Sequence, residues 1–585
     1  MQALAIELPV LLPLCLILLA AALALREALA GRPGPAFPGP LTLGLGMAAF
    51  LAVLLGFWAS ERSHHVLLGG LIPWNDAAGY FFGAHHLLES GELTAWSQRR
   101  PIYTSLLAGL LALGERDLQV ALLLQAALVG AMACFAARAG ASRMGPAAGL
   151  LVFALLLAFA GEQAPATMTE NAGLLFGAAG IALLWLGLEK PRASWFAAAG
   201  FLLMLGLLAR AGAFLVIPCL LLWAWLAFRD DRRAWPRLVC ALLGGVLGAV
   251  LLNQAIDWQA GTAANMPFSN FAYHLYGLAA GGAEWTQIFA DHPELREGGE
   301  NAASGMALAL TFERVLQNPF DFVIGYVRHL DHAVLHLFQY ISFVPARAVI
   351  YGCWLAGLVA AWRHRGDPAC LLLLLATAGT VLSSPFLFSN IGVRVYAATL
   401  AFDVYLAGLG LAVLIKRFRA LPSITPRPGL PAQLAGVAGV LVALTLGGTF
   451  AFPKAEPDVQ ATLACEAAQM PAVLRLGSES PLVFLGAAPS LALFPPQARH
   501  GDFVALLHRE VHLHEKLKRL PPDTALVTGP ARQGPRRGKA VRIAWKTETL
   551  PPRGSLVGFC LKPDAHPLLG RAFRVPTRVQ VFEPD

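Results

Sequence analysis

The most informative stretch of the chain runs from Trp74 to Thr104 and gathers Asp76, Tyr80, His85, His86, Arg99, Arg100 and Tyr103. On a helix, Tyr80, Phe81, Ala84, Leu87 and Leu88 share an apolar side, as a helix lying along a membrane surface requires. Asp76 stands at its start and has two readings. It is a catalytic carboxylate, or it is an acid favoured there by the helix dipole. Glu170, in T-M-T-E-N ahead of an apolar run, admits the same pair. Arg210, between two apolar segments, and Arg394, in a late turn, are guanidinium groups at a membrane edge. Burying such a group is costly and marks function, whereas snorkelling to the interface is the alternative. His85 and His86 are adjacent, so on a helix they point about 100° apart and do not share one metal. His329, His332 and His336, with Asp331 beside them, have spacings that place three imidazoles on one helical face, a zinc-compatible pattern. An interfacial helix with polar histidines explains the same spacing, and no metal is assigned.

These residues sit in a chain of 585 residues that is 57% hydrophobic and only 14% charged. That balance excludes a disordered chain and a water-soluble enzyme. Apolar stretches of membrane-spanning length fall near 8–25, 41–59, 117–137, 144–160, 171–188, 195–209, 211–228, 236–254, 343–361, 368–388, 396–415 and 430–450. The expected fold is mainly α, a polytopic bundle of about twelve transmembrane helices. Met1 to Val10 carries no basic residue, so 8–25 reads as a retained helix rather than a signal peptide.

Arg and Lys gather in every second connection: Arg26 and Arg32, Arg138 and Arg143, Lys190 and Arg192, Arg229 to Arg237, Arg363 and Arg365, Lys416 to Arg419. By the positive-inside rule these connections are cytoplasmic. The segments 60–116, 161–170, 255–342 and 389–395, and everything after 451, then lie outside, with Arg210 in a tight outer turn. The net charge of +8 is thereby read as a topology signal, with no nucleic-acid partner. The lipid bilayer is the expected partner.

After Phe452 the composition turns polar, which divides the chain into a membrane module (1–452) and a soluble extracytoplasmic domain (453–585). Runs at Leu482–Leu485, Ala525–Thr528, Leu556–Leu561 and Val579–Phe582 read as strands, and Asp502–Leu520 as an amphipathic helix, giving a small α/β domain. Cys465 and Cys560 are its only cysteines; an oxidising compartment permits them to pair, and two separate thiols is the alternative. No G-x-x-x-x-G-K-[ST] motif occurs, so nucleotide binding is not indicated.

The ensemble resembles the C-type integral-membrane glycosyltransferases (GT-C), in particular the bacterial branch related to protein O-mannosyltransferases and lipid A aminoarabinose transferases, glycosyltransferase family 39-like. The resemblance rests on Asp76, Tyr80, Ala84, Leu88, Gly91 and Pro101-Ile102-Tyr103 in the first outer loop. Glu170, Leu207-Leu208-Ala209-Arg210, Asn318-Pro319 and Arg394 extend it over about 60–420. It implies a multi-pass protein of a bacterial inner membrane. Such a protein transfers a sugar from a polyprenyl-phosphate-linked donor to a hydroxyl acceptor, on a glycan, lipid or protein, at the outer face.

On this resemblance Asp76 is the general base and Glu170 a second acidic residue, orienting the acceptor or a metal. Arg210, Arg394 and, ranked below them, Arg100 bind the donor phosphate, and Tyr80, His85 and Tyr103 line the substrate site. A divalent metal cofactor stays open. Two departures bear on acceptor and metal: Asn75-Asp76 stands where protein-mannosylating members carry two acids, and Thr104 where many relatives carry Pro. A transporter or flippase for a lipid-linked or anionic substrate is the competing expectation, since the same charges would line a pathway.

Overall fold

The computed structural model describes residues 2–30, 39–60, 66–67, 72–73, 75–163, 165–262, 271–296, 300–388, 392–415, 430–453, 463–476, 482–484, 520–521, 523–533, 540–547, 551–552, 555–562, 566–567 and 573–582. It is mainly helical, with a small sheet region at its C-terminal end. In chain order the helices are α1 (Gln2–Ala30), α2 (Gly39–Ser60), α3 (Asn75–Ser90), α4 (Pro101–Leu113), α5 (Leu118–Met144), α6 (Pro146–Gln163) and α7 (Thr169–Gly187). There follow α8 (Ala193–Ala209), α9 (Val216–Phe228), α10 (Ala234–Ala260), α11 (Phe271–Ala279), α12 (Gln287–Asp291), α13 (Glu300–Gln317), α14 (Pro319–Arg328) and α15 (His332–His336). The last four are α16 (Val344–Arg363), α17 (Pro368–Ser383), α18 (Leu400–Leu414) and α19 (Leu430–Leu446).

Among the described residues, seven helices are long and apolar enough to cross a membrane, carried by α1, α5, α7, α10, α16, α17 and α19. Six shorter apolar helices join them: α2, α4, α6, α8, α9 and α18. Every one of the twelve expected spans falls on one of these helices. The thirteenth apolar helix, α4, lies inside the expected outer loop 60–116. With 13 residues it is about 20 Å long, short of the roughly 30 Å of a bilayer core, so a span-length criterion passes over it. Local chemistry sets the ends of several helices. Asp117 accepts from the Val120 amide at 3.0 Å to cap α5, Asp367 accepts from the Ala369 amide at 2.7 Å to cap α17, and proline opens α4, α14, α16 and α17. Arg138 and Arg143, expected in a connection, lie in the last turns of α5, which runs to Met144.

α7 is the centre of the bundle, buried along its whole length. In lipid, apolar side chains gain little by leaving the bilayer for protein, so close packing depends on small residues. α7 supplies them at Gly173 and Gly177. A Cβ at Gly173 would lie 3.0 Å from the Arg210 Cβ and 3.2 Å from the Ala397 Cβ, and one at Gly177 would collide with the Ala398 carbonyl oxygen. These glycines bring the Arg210 turn and the 392–399 segment against the first turns of α7.

The short strands β1 (Val66–Leu67) and β2 (Ile72–Pro73) form a small antiparallel pair. The C-terminal region forms two three-stranded antiparallel sheets. β3 (Met470–Arg475), β7 (Leu556–Leu561) and β8 (Pro576–Phe582) make one, in the order β3-β7-β8; β4 (Leu482–Phe484), β5 (Thr524–Pro530) and β6 (Ala540–Lys546) make the other, in the order β4-β5-β6. Leu474, Val527, Ile543, Val557 and Phe559 fill a core shared by both sheets. Cys465 and Cys560 form a disulfide across 95 residues. The four expected strands are present. β3 and β6 were not anticipated, and the expected helix over 502–520 lies outside the described residues except at its end.

α3 departs from expectation. Rather than lying on a membrane surface with a solvated polar face, it is buried on nearly every side. Gly79 and Gly83, one turn apart, admit Trp96 and Ser97 so closely that a Cβ at either would collide with them. The strands β5 and β6 of the C-terminal sheet cover another side. A tertiary neighbour separated by more than 400 residues thus packs against a helix that amphipathic periodicity lays along a surface.

Candidate active site

Four residues from four distant segments meet at one end of the bundle. Glu170, in the first turn of α7, has a fully buried side chain. The Arg394 Nε lies 2.8 Å from its Oε1, the Arg210 Nη2 lies 3.5 Å from the same oxygen, and the Thr169 hydroxyl donates to Oε2 at 3.1 Å. The Arg394 Nη2 reaches in the other direction to the Asp76 Oδ2 at 3.7 Å. Arg394 therefore bridges two carboxylates, one buried and one 45% exposed.

The backbone explains why the charges settle here. Asp76 and Glu170 sit in the first turns of α3 and α7, where the helix dipole favours an anion, and Arg210 caps the C-terminal end of α8, where it favours a cation. The dipole reading and the cluster reading thus describe the same residues, because three helix ends converge on one point.

Arg100, at the start of α4, is buried within electrostatic range of Tyr80, Arg210 and Glu170. Burial lowers its guanidinium to about 10, so it is still protonated at neutral pH. Among the described residues the cluster gathers the guanidinium groups of Arg100, Arg210 and Arg394 and the carboxylates of Asp76 and Glu170, an arginine-rich setting that suits an anionic ligand. Tyr80 is buried beside Arg100, and desolvation raises its phenol, which keeps the hydroxyl a donor. Tyr103 packs edge-on to Tyr80 at 5.3 Å and its hydroxyl donates to the Gln125 Oε1 at 3.3 Å, so it braces Tyr80 from the interior. His85 packs edge-on to Phe81 at 4.5 Å. It lies nine residues past Asp76, about 13 Å further along α3.

The histidines at 329, 332 and 336 do not share a helical face. α14 ends at Arg328 and α15 begins at His332, so a turn separates the first from the others. The His329 ring stacks on Phe388 at 3.6 Å with Nε2 at 3.0 Å from the Gly282 carbonyl, while the His332 Nδ1 lies 3.2 Å from the Tyr396 hydroxyl. The His336 Nδ1 lies 2.8 Å from the His332 carbonyl. Among the described residues no three His, Cys, Asp or Glu side chains converge as metal ligands.

One residue of the cluster was not anticipated. His274, on α11, lies within electrostatic range of Arg210 and Arg100, and its Nδ1 is buried without a hydrogen-bond partner among the described residues. Its only signal in the sequence is a histidine amid the aromatics of Phe271 to Tyr276. Burial, reinforced by the two arginines, lowers its imidazole from 6.5 to about 4. Between those values the unfolded chain binds the proton that the folded protein refuses, so stability falls as pH drops from about 6.5 toward 4. The loss reaches roughly 3 kcal/mol at most. A His274→Gln variant is expected to flatten the dependence of thermal stability on pH in that window; an unchanged slope would place the buried imidazole elsewhere.

No protein-family model matches the chain, and no curated protein shows significant similarity to it.

Proposed function

We propose that the protein is an inverting glycosyltransferase of the C-type membrane kind, which moves a sugar from a polyprenyl-phosphate carrier to a hydroxyl acceptor. The observation that carries this reading is the convergence of Asp76, Arg394, Glu170 and Arg210. A half-exposed carboxylate next to an arginine-rich cluster is what displacement of a phosphate by a hydroxyl calls for. The acceptor oxygen attacks the anomeric carbon from the side opposite the phosphate as the carbon–oxygen bond to phosphate breaks. Asp76 takes the hydroxyl proton. The departing lipid phosphate keeps the bonding electron pair, and its charge is met by Arg210 and Arg100, with Arg394 held between the carboxylates. Glu170 keeps these cations in place.

A lipid-linked donor is supported by an apolar cavity of about 460 Å³ beside Arg210. Met204, Leu207 and Leu208 of α8, Ile217 of α9, Val246 of α10 and Phe271 of α11 line it, and Ala211 and Gly212 continue it past the arginine. A hydrocarbon chain there sets its phosphate at the cluster. Phe312, Leu316 and Phe320 of α13 and α14 are 72–79% exposed, while the Tyr326 hydroxyl ties α14 to the Leu382 carbonyl at the end of α17. This apolar face suits the outer leaflet's interface. In the same reading twelve helices span a bacterial inner membrane, α4 stays within the outer half, and the site and the C-terminal domain face outward.

The test is transfer by purified protein in lipid nanodiscs from radiolabelled polyprenyl-phosphate sugars to candidate acceptors. Wild type is expected to transfer label, and Arg210→Gln to raise the KM for donor about 10- to 100-fold, the worth of a lost charged hydrogen bond. Protein-dependent movement of the labelled lipid across liposomes without transfer would replace this reading with a flippase.

A further inference from the structure

The C-terminal domain touches the membrane module at a place that bears on Asp76. Glu89 lies in the last turn of α3, where the helix dipole disfavours an acid. Two guanidinium groups compensate it. The Arg532 Nη2 donates to the Glu89 Oε1 at 2.8 Å, and the Arg116 Nη1 lies 3.5 Å from the same oxygen. The contact is built rather than incidental: the Arg532 and Glu89 side chains are only 7% and 12% exposed, and a charge-assisted bond with so little solvent around it is among the stronger kinds. Arg116 is presented by an unusual backbone, since Glu115 and Arg116 both adopt the left-handed region, at φ of 52° and 64°, which costs a side-chain-bearing residue energy that its surroundings must supply. Arg532 is fixed in turn, because its amide donates to the Val473 carbonyl of β3 at 2.8 Å just beyond the end of β5.

We propose that Glu89, Arg116 and Arg532 form a positioning latch through which the C-terminal domain holds α3, and with it Asp76, in register against Arg394. The two ends of α3 belong to different parts of the molecule. Its first turn meets the charged cluster through Asp76, and its last turn is clamped by a residue 443 positions further along the chain. A helix transmits displacement nearly as a rod: Asp76 lies about 20 Å of helical rise from Glu89. Gly79 and Gly83 seat the middle of α3 closely against Trp96 and Ser97, so the helix moves as one packed piece. The latch fixes the end of that piece opposite Asp76. It gives the C-terminal domain a role in the module's geometry, beyond that of an appended body. The consequence for transfer rests on the reading of Asp76 given above, whereas the restraint on α3 does not.

The experiment uses the full chain in lipid nanodiscs. Amide hydrogen exchange over α3 is compared in wild type, Arg532→Gln, Arg532→Lys and Glu89→Gln, alongside donor kinetics. Removing either neutralised partner is expected to speed exchange in the last turns of α3 about 10- to 100-fold, with α5 to α8 unchanged and the Cys465–Cys560 disulfide intact. Arg532→Lys, which keeps the charge, is expected to recover part of the protection. In transfer, Arg532→Gln is expected to lower kcat at least about tenfold while the KM for donor stays within about twofold, because the phosphate-binding arginines are not on α3. Glu89→Gln reads the same latch from the membrane module, leaving the C-terminal domain's own sequence intact should Arg532→Gln fail to fold. Exchange over α3 within about twofold of wild type in both neutral variants would overturn the latch. Absence of transfer by wild type would sink the glycosyltransferase reading alone, with exchange still deciding the restraint.

Discussion

Glu170→Gln is expected to destabilise the protein by about 3–5 kcal/mol, the cost of removing one partner from a buried ion pair. The carboxylate is fully buried and is the shared counter-ion of Arg210 and Arg394, whose side chains are only 11% and 29% exposed. With glutamine in its place the two guanidinium groups face each other at that end of the bundle, and among the described residues Asp76, paired with Arg394, is the remaining acid in contact with either. Thermal or denaturant unfolding in nanodiscs measures the loss. Because the residues act as a unit, Glu170→Gln combined with Arg210→Gln is expected to cost less than the two single changes added together. An additive pair, or a Glu170→Gln protein as stable as wild type, would show that the contacts at 2.8 and 3.5 Å do not hold the cluster together.

Asp76→Asn is expected to act in the opposite manner, with a large effect on rate and a small one on stability. Its carboxylate is 45% exposed and meets Arg394 at 3.7 Å, so as an ion pair it contributes about 1 kcal/mol or less. In the proposed transfer a general base is worth about 10²- to 10⁴-fold in the chemical step, so kcat is expected to fall by that factor with the KM for donor nearly unchanged. Transfer of label at saturating donor, with a melting curve on the same preparation, separates the two residues. A kcat retained in Asp76→Asn would remove the proposed base. The contrast follows from environment alone: one carboxylate is sealed between cations, and the other is 45% exposed.

The charged cluster was legible residue by residue, yet its geometry was not. Asp76, Glu170 and Arg210 each stand as an ionisable residue beside an apolar run, but it was the family resemblance that gathered them, with Arg394 and Arg100, into one expected site. Nothing in that pattern gives the role of Arg394 as the bridge between two carboxylates. That role depends on Gly173 and Gly177 letting the 392–399 segment lie against α7. His274 escaped notice because a single histidine among aromatics has no spacing to read. The three later histidines drew notice for a regular spacing, which a turn between α14 and α15 then broke.

Apolar periodicity is a local property, and it determined what local physics can: every expected span became a helix, and the strands at 482, 525, 556 and 579 formed where alternation and turn residues placed them. It failed where length or context overrides the local signal. α4 is too short to register as a span, and β3 and β6 emerged only as partners within two antiparallel sheets. By itself the sequence determined a helical chain with apolar spans, a polar C-terminal region and a small set of ionisable residues at helix ends. The tertiary structure alone decided that three helix ends meet at one point, that α3 is buried rather than laid on a surface, and that Arg532 closes on Glu89. The reason is physical: a charge's position along the chain reveals the local cost of burying it, but the partner that offsets this cost is chosen by packing, across separations of up to 443 residues.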